Sequence, residues 1–276
     1  MAKDQAEEGD TRPLLCDPEE GRRVFFLHIP KTAGSSNNIF LRSLFGEDGF
    51  QDHVENLLPR LLEGELPPLR QRCISGHVPL WAWSLYRGTH VYERITLLRD
   101  PWRRLVSHVN WVNQFNHGVR MPSHGPGAQS LANVARALEQ TDFEDRKSLK
   151  RLFDIANAQP YFSSFDNYQV RMLRTGRMDA MEKEMSPKDV EVASEELSRF
   201  LAFGFCEDQL AFQQDVITKL EVEGTPSEVA ANKGSHKALV VSNSLARDVF
   251  APWIEADSVL YAYARRLKLS QKTGRA

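Results

Sequence analysis

A short, wholly apolar run that opens into a turn and then an amphipathic helix is the feature that most restricts this chain. Val24-Phe25-Phe26-Leu27 is brief and carries no polar side, so it reads as a strand buried on both faces. The turn His28 to Gly34 follows it. A helix then starts near Ser35, with Phe40, Leu41, Leu44 and Phe45 on one face and Gly46 as its stop. The same order returns at Arg94-Ile95-Thr96-Leu97-Leu98, where Asp100 is placed to cap a helix and Pro101 suits its first turn. Leu105, Val109 and Val112 recur at helical spacing and mark that helix's core face. A further strand, Leu201 to Cys206, leads into a helix carrying Leu210, Val216, Ile217 and Leu220. Strands alternating with helices predict an α/β fold: a single domain whose central parallel sheet is flanked by helices. Ligands of such sheets bind beyond the carboxyl ends of the strands, where the turns after residues 27 and 98 both fall.

Between these units the periodicity predicts helices roughly at 130–140, 145–157, 166–175 and 187–200, with a long Gly-, Pro-, His- and Ser-rich loop over 116–129. Two C-terminal helices part near Pro252. The expected organisation is a charged, loose leader over 1–21, one domain over 22–270 and a short tail over 271–276. A chain of 276 residues with 41% apolar and 26% charged residues can bury a core without disulfides or metal. Cys16, Cys73 and Cys206 are too scattered for a disulfide framework or a zinc site, and no metal is expected. The charge of −2 offers no general attraction to nucleic acid or to an anionic membrane, so anions would be handled by a few placed cations. No stretch approaches a membrane span, the N-terminal residues lack the pattern of a signal peptide, and no Asn-x-Ser/Thr acceptor occurs. The expected compartment is the cytoplasm.

The turn Pro30-Lys31-Thr32-Ala33-Gly34-Ser35-Ser36 lies between a buried strand and a helix N-terminus, where main-chain N–H groups and the helix dipole favour an anion. Small Ala33 and Gly34 would let a phosphate approach the main chain, Ser35 and Ser36 add hydroxyl donors, and Lys31 adds charge. The lysine precedes the glycine, so this is not the triphosphatase loop G-x-x-x-x-G-K-[ST]. In the second unit, Arg99 precedes the helix, and Arg103 and Ser107 lie one turn apart on it, so the latter two can face one anion. Arg99, Arg103 and Arg104 could otherwise form a solvated basic helix start.

The segment Phe26-Leu27-His28-Ile29-Pro30-Lys31-Thr32-Ala33-Gly34-Ser35-Ser36 resembles the 5′-phosphosulfate loop of sulfotransferases that use 3′-phosphoadenosine 5′-phosphosulfate (PAPS). Leu98-Arg99-Asp100-Pro101-Trp102-Arg103-Arg104-Leu105-Val106-Ser107 resembles the same family's 3′-phosphate motif. The likeness is greatest to the glycan 2-O-sulfotransferase branch and its soluble bacterial relatives. It continues, more weakly, through Asp166-Asn167-Tyr168-Gln169 to the strand before Glu207. The resemblance implies a P-loop nucleoside-kinase-like sulfotransferase fold with PAPS as sulfuryl donor and no metal. Lys31 would contact the phosphosulfate, Thr32, Gly34, Ser35 and Ser36 would hold the 5′-phosphate, and Arg99 and Ser107 would bind the 3′-phosphate. Lys233-Gly234-Ser235-His236-Lys237 resembles the segment that closes over the nucleotide, with Lys233 as a donor contact; it reads equally as an exposed polar loop.

Ser75-Gly76-His77-Val78-Pro79 resembles the segment supplying the catalytic histidine of the 2-O-sulfotransferases, which makes His77 the expected base; Ser75 stands where those enzymes carry a second histidine. An imidazole with an ordinary pKa near 6.5 suits proton removal from a hydroxyl. His53 is a weaker candidate, and His28 and His108 read as packing groups. Trp81 and Trp83 could line an acceptor cleft or simply pack. The acceptor implied by the resemblance is a carbohydrate, with a small alcohol, lipid or polyketide also open, and oligomeric state has no signature. Two other readings remain: a phosphotransferase on the same fold, and a catalytically inactive module that binds nucleotide.

Overall fold

The computed structural model describes residues 21–86, 88–118, 126–160, 162–176, 184–228 and 237–274. Five parallel strands form its sheet: β1 Arg23–Leu27, β2 Phe50–Gln51, β3 Cys73–Gly76, β4 Tyr92–Leu98 and β5 Ala202–Phe205, ordered β2-β3-β1-β4-β5. The helices are α1 Gly34–Gly49, α2 Leu58–Leu62, α3 Leu80–Trp83, α4 Pro101–Asn113, α5 Pro126–Glu139 and α6 Arg146–Ala158. They continue with α7 Tyr168–Leu173, α8 Pro187–Ser198, α9 Gln209–Leu220, α10 Ser244–Val249 and α11 Glu255–Thr273. The architecture is the expected α/β one, a central parallel sheet flanked by helices in a single domain. Among the described residues no helix is long and apolar enough to cross a membrane.

β1 is central because both its faces are apolar. Phe25 and Leu27 pack with Ile74, Trp83 and Phe203 on one side, and Val24 and Phe26 with Phe40, Ile95 and Phe212 on the other. The polar Thr96 is tolerated inside β4 because its hydroxyl donates to the Leu27 carbonyl at 2.8 Å. α4 starts where the sequence places it: Pro101 opens the helix, and the Asp100 carboxylate accepts the Arg103 N–H at 2.9 Å. Leu105, Val109 and Val112 are fully buried beneath it.

Three expectations need correction. Gly46 adopts φ 73°, which breaks the helical path, yet the chain resumes for one more turn to Gly49. The loop expected over 116–129 does not reach Gln129, because α5 begins at Pro126; its residues 119–125 lie outside the described residues. Leu210 is 39% exposed, and the buried face of α9 is made instead by Phe212, Gln213, Val216, Ile217 and Leu220. Residues 1–20, Lys233 and His236 lie outside the described residues.

Candidate active site

The ends of β3, β1 and β4 lie side by side, with Leu27 paired to Gly76 on one side and to Thr96 on the other. Each therefore delivers its following residues to one place. The loop after β1 is wound tightly: Lys31 and Ala33 both take left-handed conformations, with φ 72° and 69°. Such conformations cost side-chain-bearing residues about 1–3 kcal/mol each and persist only where surrounding contacts enforce them. One enforcing contact is the Thr32 hydroxyl, which donates to the Ile29 carbonyl at 2.8 Å. Thr32 is fully buried, so its hydroxyl is spent inside the loop and does not face a ligand. Ala33 supplies no side-chain cap to α1. The first-turn N–H groups of such a helix end make a place suited to an anion. Ser35 is exposed at this turn, whereas Ser36 is buried.

Arg99 emerges from the end of β4 and turns toward this loop, its guanidinium donating to the Lys31 carbonyl at 3.0 Å. The two strand-to-helix turns are therefore joined directly. Arg99 is in turn held by Gln169 at the start of α7. The buried amide accepts from the Arg99 N–H at 2.9 Å and donates to the Arg99 carbonyl at 3.0 Å. Asp257, at the start of α11, fixes α7 by accepting the N–H groups of Gln169 and Val170. Arg103 is exposed and Ser107 half-buried on α4. Arg104, by contrast, is fully buried, donating to the carbonyls of Ser164 and Phe165 and lying 4.0 Å from the Asp257 carboxylate. It is a structural cation and belongs neither to a solvated helix start nor to an anion cluster at the surface.

His77 follows β3. Its Nδ1 lies 2.6 Å from the His28 carbonyl, which can only accept, so Nδ1 carries the proton and Nε2 keeps its lone pair. The His77 N–H donates to Glu55 Oε2 at 2.9 Å, and the other oxygen of Glu55 accepts from His53 Nδ1 at 2.9 Å. The His28 and His77 rings are 4.2 Å apart, and His53 is 6.2 Å from His77. Burial is the main force holding His77 below the ordinary histidine pKa. Glu55 and the bond to His28 partly oppose it, and His53 and Lys31 push further down. His28 is held well below its ordinary value by burial first, then by His77, His53 and Lys31. His108 behaves alike, through burial, then Arg104, Lys31 and His77. The charge of Lys31 thus disfavours a proton on imidazoles carried by three elements. Neutral His77 in this tautomer is chemically ready to accept a proton.

The structure brings Lys31, Arg99 and His77 into one neighbourhood, adds Glu55, which the sequence did not single out, and gives Gln169, there only part of a weak resemblance, a definite contact with Arg99. Gly34 is small for a reason not foreseen: a Cβ there would meet the His28 ring at 1.9 Å. Trp83 belongs to the core, stacked on Phe25 at 4.2 Å, while Trp81 is half-buried. His53 is mostly exposed and hydrogen-bonded to Glu55, within the same cluster as His77. The position that resembles a second histidine of the family, Ser75, is fully buried and donates to Asn38 at 2.7 Å. Among the described residues no group of His, Cys, Asp and Glu could hold a metal ion. A groove of about 1170 Å³ among α6, α8 and α11, lined by Phe153, Val190, Trp253 and Tyr263, shares no residue with this cluster. No protein-family model and no curated protein matches the chain.

Proposed function

We propose that the chain is a sulfotransferase of P-loop nucleoside-kinase-like fold that acts in the cytoplasm. It takes a sulfuryl group from PAPS, places it on a hydroxyl of a carbohydrate or small alcohol, and releases 3′-phosphoadenosine 5′-phosphate. The observation that carries this reading is the hydrogen bond from the Arg99 guanidinium to the Lys31 carbonyl. It ties together the two turns whose residues resemble the 5′-phosphosulfate and 3′-phosphate motifs, as a donor with anions at both ends requires.

In this reading the N-terminus of α1, with Gly34, Ser35 and Ser36, receives the 5′ end of the donor, and Arg99 with Ser107 receives the 3′-phosphate. His77 Nε2 accepts the acceptor's hydroxyl proton as the acceptor oxygen bonds to sulfur and the bond from sulfur to the 5′-phosphate oxygen breaks. Lys31 offsets the charge that collects on the departing phosphate. Positioning and preorganised charge supply most of the acceleration, as in phosphoryl transfer.

The test is thermal-shift titration with 3′-phosphoadenosine 5′-phosphate, run beside ATP with Mg²⁺, followed by transfer from sulfur-labelled PAPS to a panel of hydroxyl acceptors. Stabilisation by the desulfated nucleotide, weakened in Arg99→Ala, is expected. Stabilisation by ATP and Mg²⁺ alone would favour the phosphotransferase. Nucleotide binding with no transfer to any acceptor would favour the inactive module.

A further inference from the structure

Glu55 stands out because the fold goes to some length to bring its carboxylate against the main chain of His77. Glu55 lies in a turn of 3-10 helix, Val54–Asn56, entered through His53 in a left-handed conformation, φ 52°. One carboxylate oxygen takes the His77 N–H and the other takes His53 Nδ1, both at 2.9 Å. The approach is possible only because residue 76 is glycine: a Cβ there would lie 2.6 Å from Glu55 Oε2 and 2.6 Å from Val54 Cγ1. A glutamate that merely solvated the surface would need neither the glycine nor the strained entry.

The charges around His77 explain what such a carboxylate is for. Lys31 and His28 face it from the loop after β1, His53 and Glu55 from the turn after β2, and His108 from α4; Tyr168 of α7 faces Glu55. Most of these are neutral or cationic, so a proton arriving on Nε2 meets Lys31 and is opposed by it. Glu55 is the anion that acts in the favourable direction. We propose that Glu55 is the positioning residue of the proposed base: its carboxylate fixes the main chain at His77 and supplies the negative charge that stabilises the His77 imidazolium formed when the acceptor proton reaches Nε2. This rests on the reading of His77 as base; the electrostatic link between the two residues does not.

The link runs in both directions, which gives two independent measurements. Burial would push the Glu55 carboxyl up, but the His53 bond, the His77 charge and main-chain N–H groups outweigh it and leave it below the usual range. In Glu55→Gln, which keeps an oxygen for the His77 N–H but loses the charge, the His77 titration midpoint read by NMR is expected to fall. Glu55→Asp should bring it back toward the wild-type value. In His77→Asn, the midpoint of the Glu55 carboxyl, read by ¹³C NMR, is expected to rise. With turnover, the acid limb of kcat/KM in Glu55→Gln should move to lower pH and the plateau should drop about tenfold. An unchanged His77 midpoint in folded Glu55→Gln overturns the proposal. If that variant does not fold, an unchanged Glu55 midpoint in His77→Asn does so. Sulfuryl transfer at the wild-type rate by His77→Asn would instead remove the base reading and the catalytic half of this proposal, leaving the measured coupling intact.

Discussion

Replacing Gly34 with alanine adds one methyl group at the point where the loop after β1 becomes α1. That Cβ would lie 1.9 Å from both Cδ2 and Nε2 of His28 and 2.6 Å from Cγ. Ordinary contacts between such atoms are near 3.5–4.0 Å, so the overlap is roughly 2 Å. The ring has little room to retreat: it lies nearly parallel to Phe26 at 5.7 Å, and the His77 ring is 4.2 Å away. Overpacking in a closed site costs about 1–3 kcal/mol, and an overlap of this depth belongs at the upper end. The cost is not one of backbone conformation, since alanine is a better helix former than glycine by up to about 1 kcal/mol. Removing the His28 ring should therefore abolish the penalty and expose the helix preference. We expect Gly34→Ala to lose about 3 kcal/mol in urea denaturation of wild type and to be neutral or slightly stabilising in His28→Ala. The coupling between the two sites would then be about 3 kcal/mol, at the top of the range for residues in contact. Equal costs in both backgrounds would refute the packing argument and return Gly34 to the role of clearing space for a phosphate.

Lys31→Ala and His77→Ala are each expected to lower sulfuryl-transfer turnover more than tenfold while circular dichroism and melting show a retained fold; full activity in His77→Ala would move the base elsewhere, to His53 first. Arg104→Met removes the cation beside Asp257, and an uncompensated buried carboxylate should cost about 3–5 kcal/mol in denaturant; converting both residues to apolar ones should cost much less. Stability should fall on acidification from about pH 6.5, because His28, His77 and His108 are held below their ordinary pKa in the folded state. The unfolded chain binds more protons in that window, so stability rises with pH through it, by up to about 1.4 kcal/mol per pH unit for each such group. Urea midpoints between pH 7.5 and 5 for wild type and His108→Gln check this, and an unchanged slope in the variant would exclude His108.

Strands β1 and β5 were legible as short apolar runs and β4 through the β-branched and apolar residues Ile95 to Leu98 that end it, and α4 was legible because Asp100 and Pro101 mark its start. β3 was not, although it lies beside β1: Cys73-Ile74-Ser75-Gly76 is half polar, and Ser75 becomes acceptable inside only through its bond to Asn38 on α1. β2, two residues long, exists only because β3 offers it an edge. In the site, Lys31, Arg99 and His77 stood out because each follows a strand within a recognisable local pattern. Glu55 and Gln169 act through partners 22 and 70 positions away, a distance over which local sequence holds no signal. Arg104 misled for the opposite reason. Its neighbours in sequence are basic, but its neighbours in space are Asp257 and the carbonyls of residues 164 and 165.

The loop after β1 accepts hydrogen bonds from both adjacent strand ends, through the His28 carbonyl from His77 on the β3 side and through the Lys31 carbonyl from Arg99 on the β4 side. Connections from β1 and β4 leave the sheet in opposite directions, toward β2 and toward β5, and the point where they diverge is where sheets of this kind bind ligands. A main chain wound so that carbonyls at residues 28 and 31 face opposite neighbours must depart from ordinary extended geometry. The left-handed Lys31 and Ala33 are where it does. The two conformations that cost most locally are thus the ones that let a single loop orient the His77 imidazole on one side and the Arg99 guanidinium on the other. Any ligand lying along that loop meets both at a separation set by the sheet.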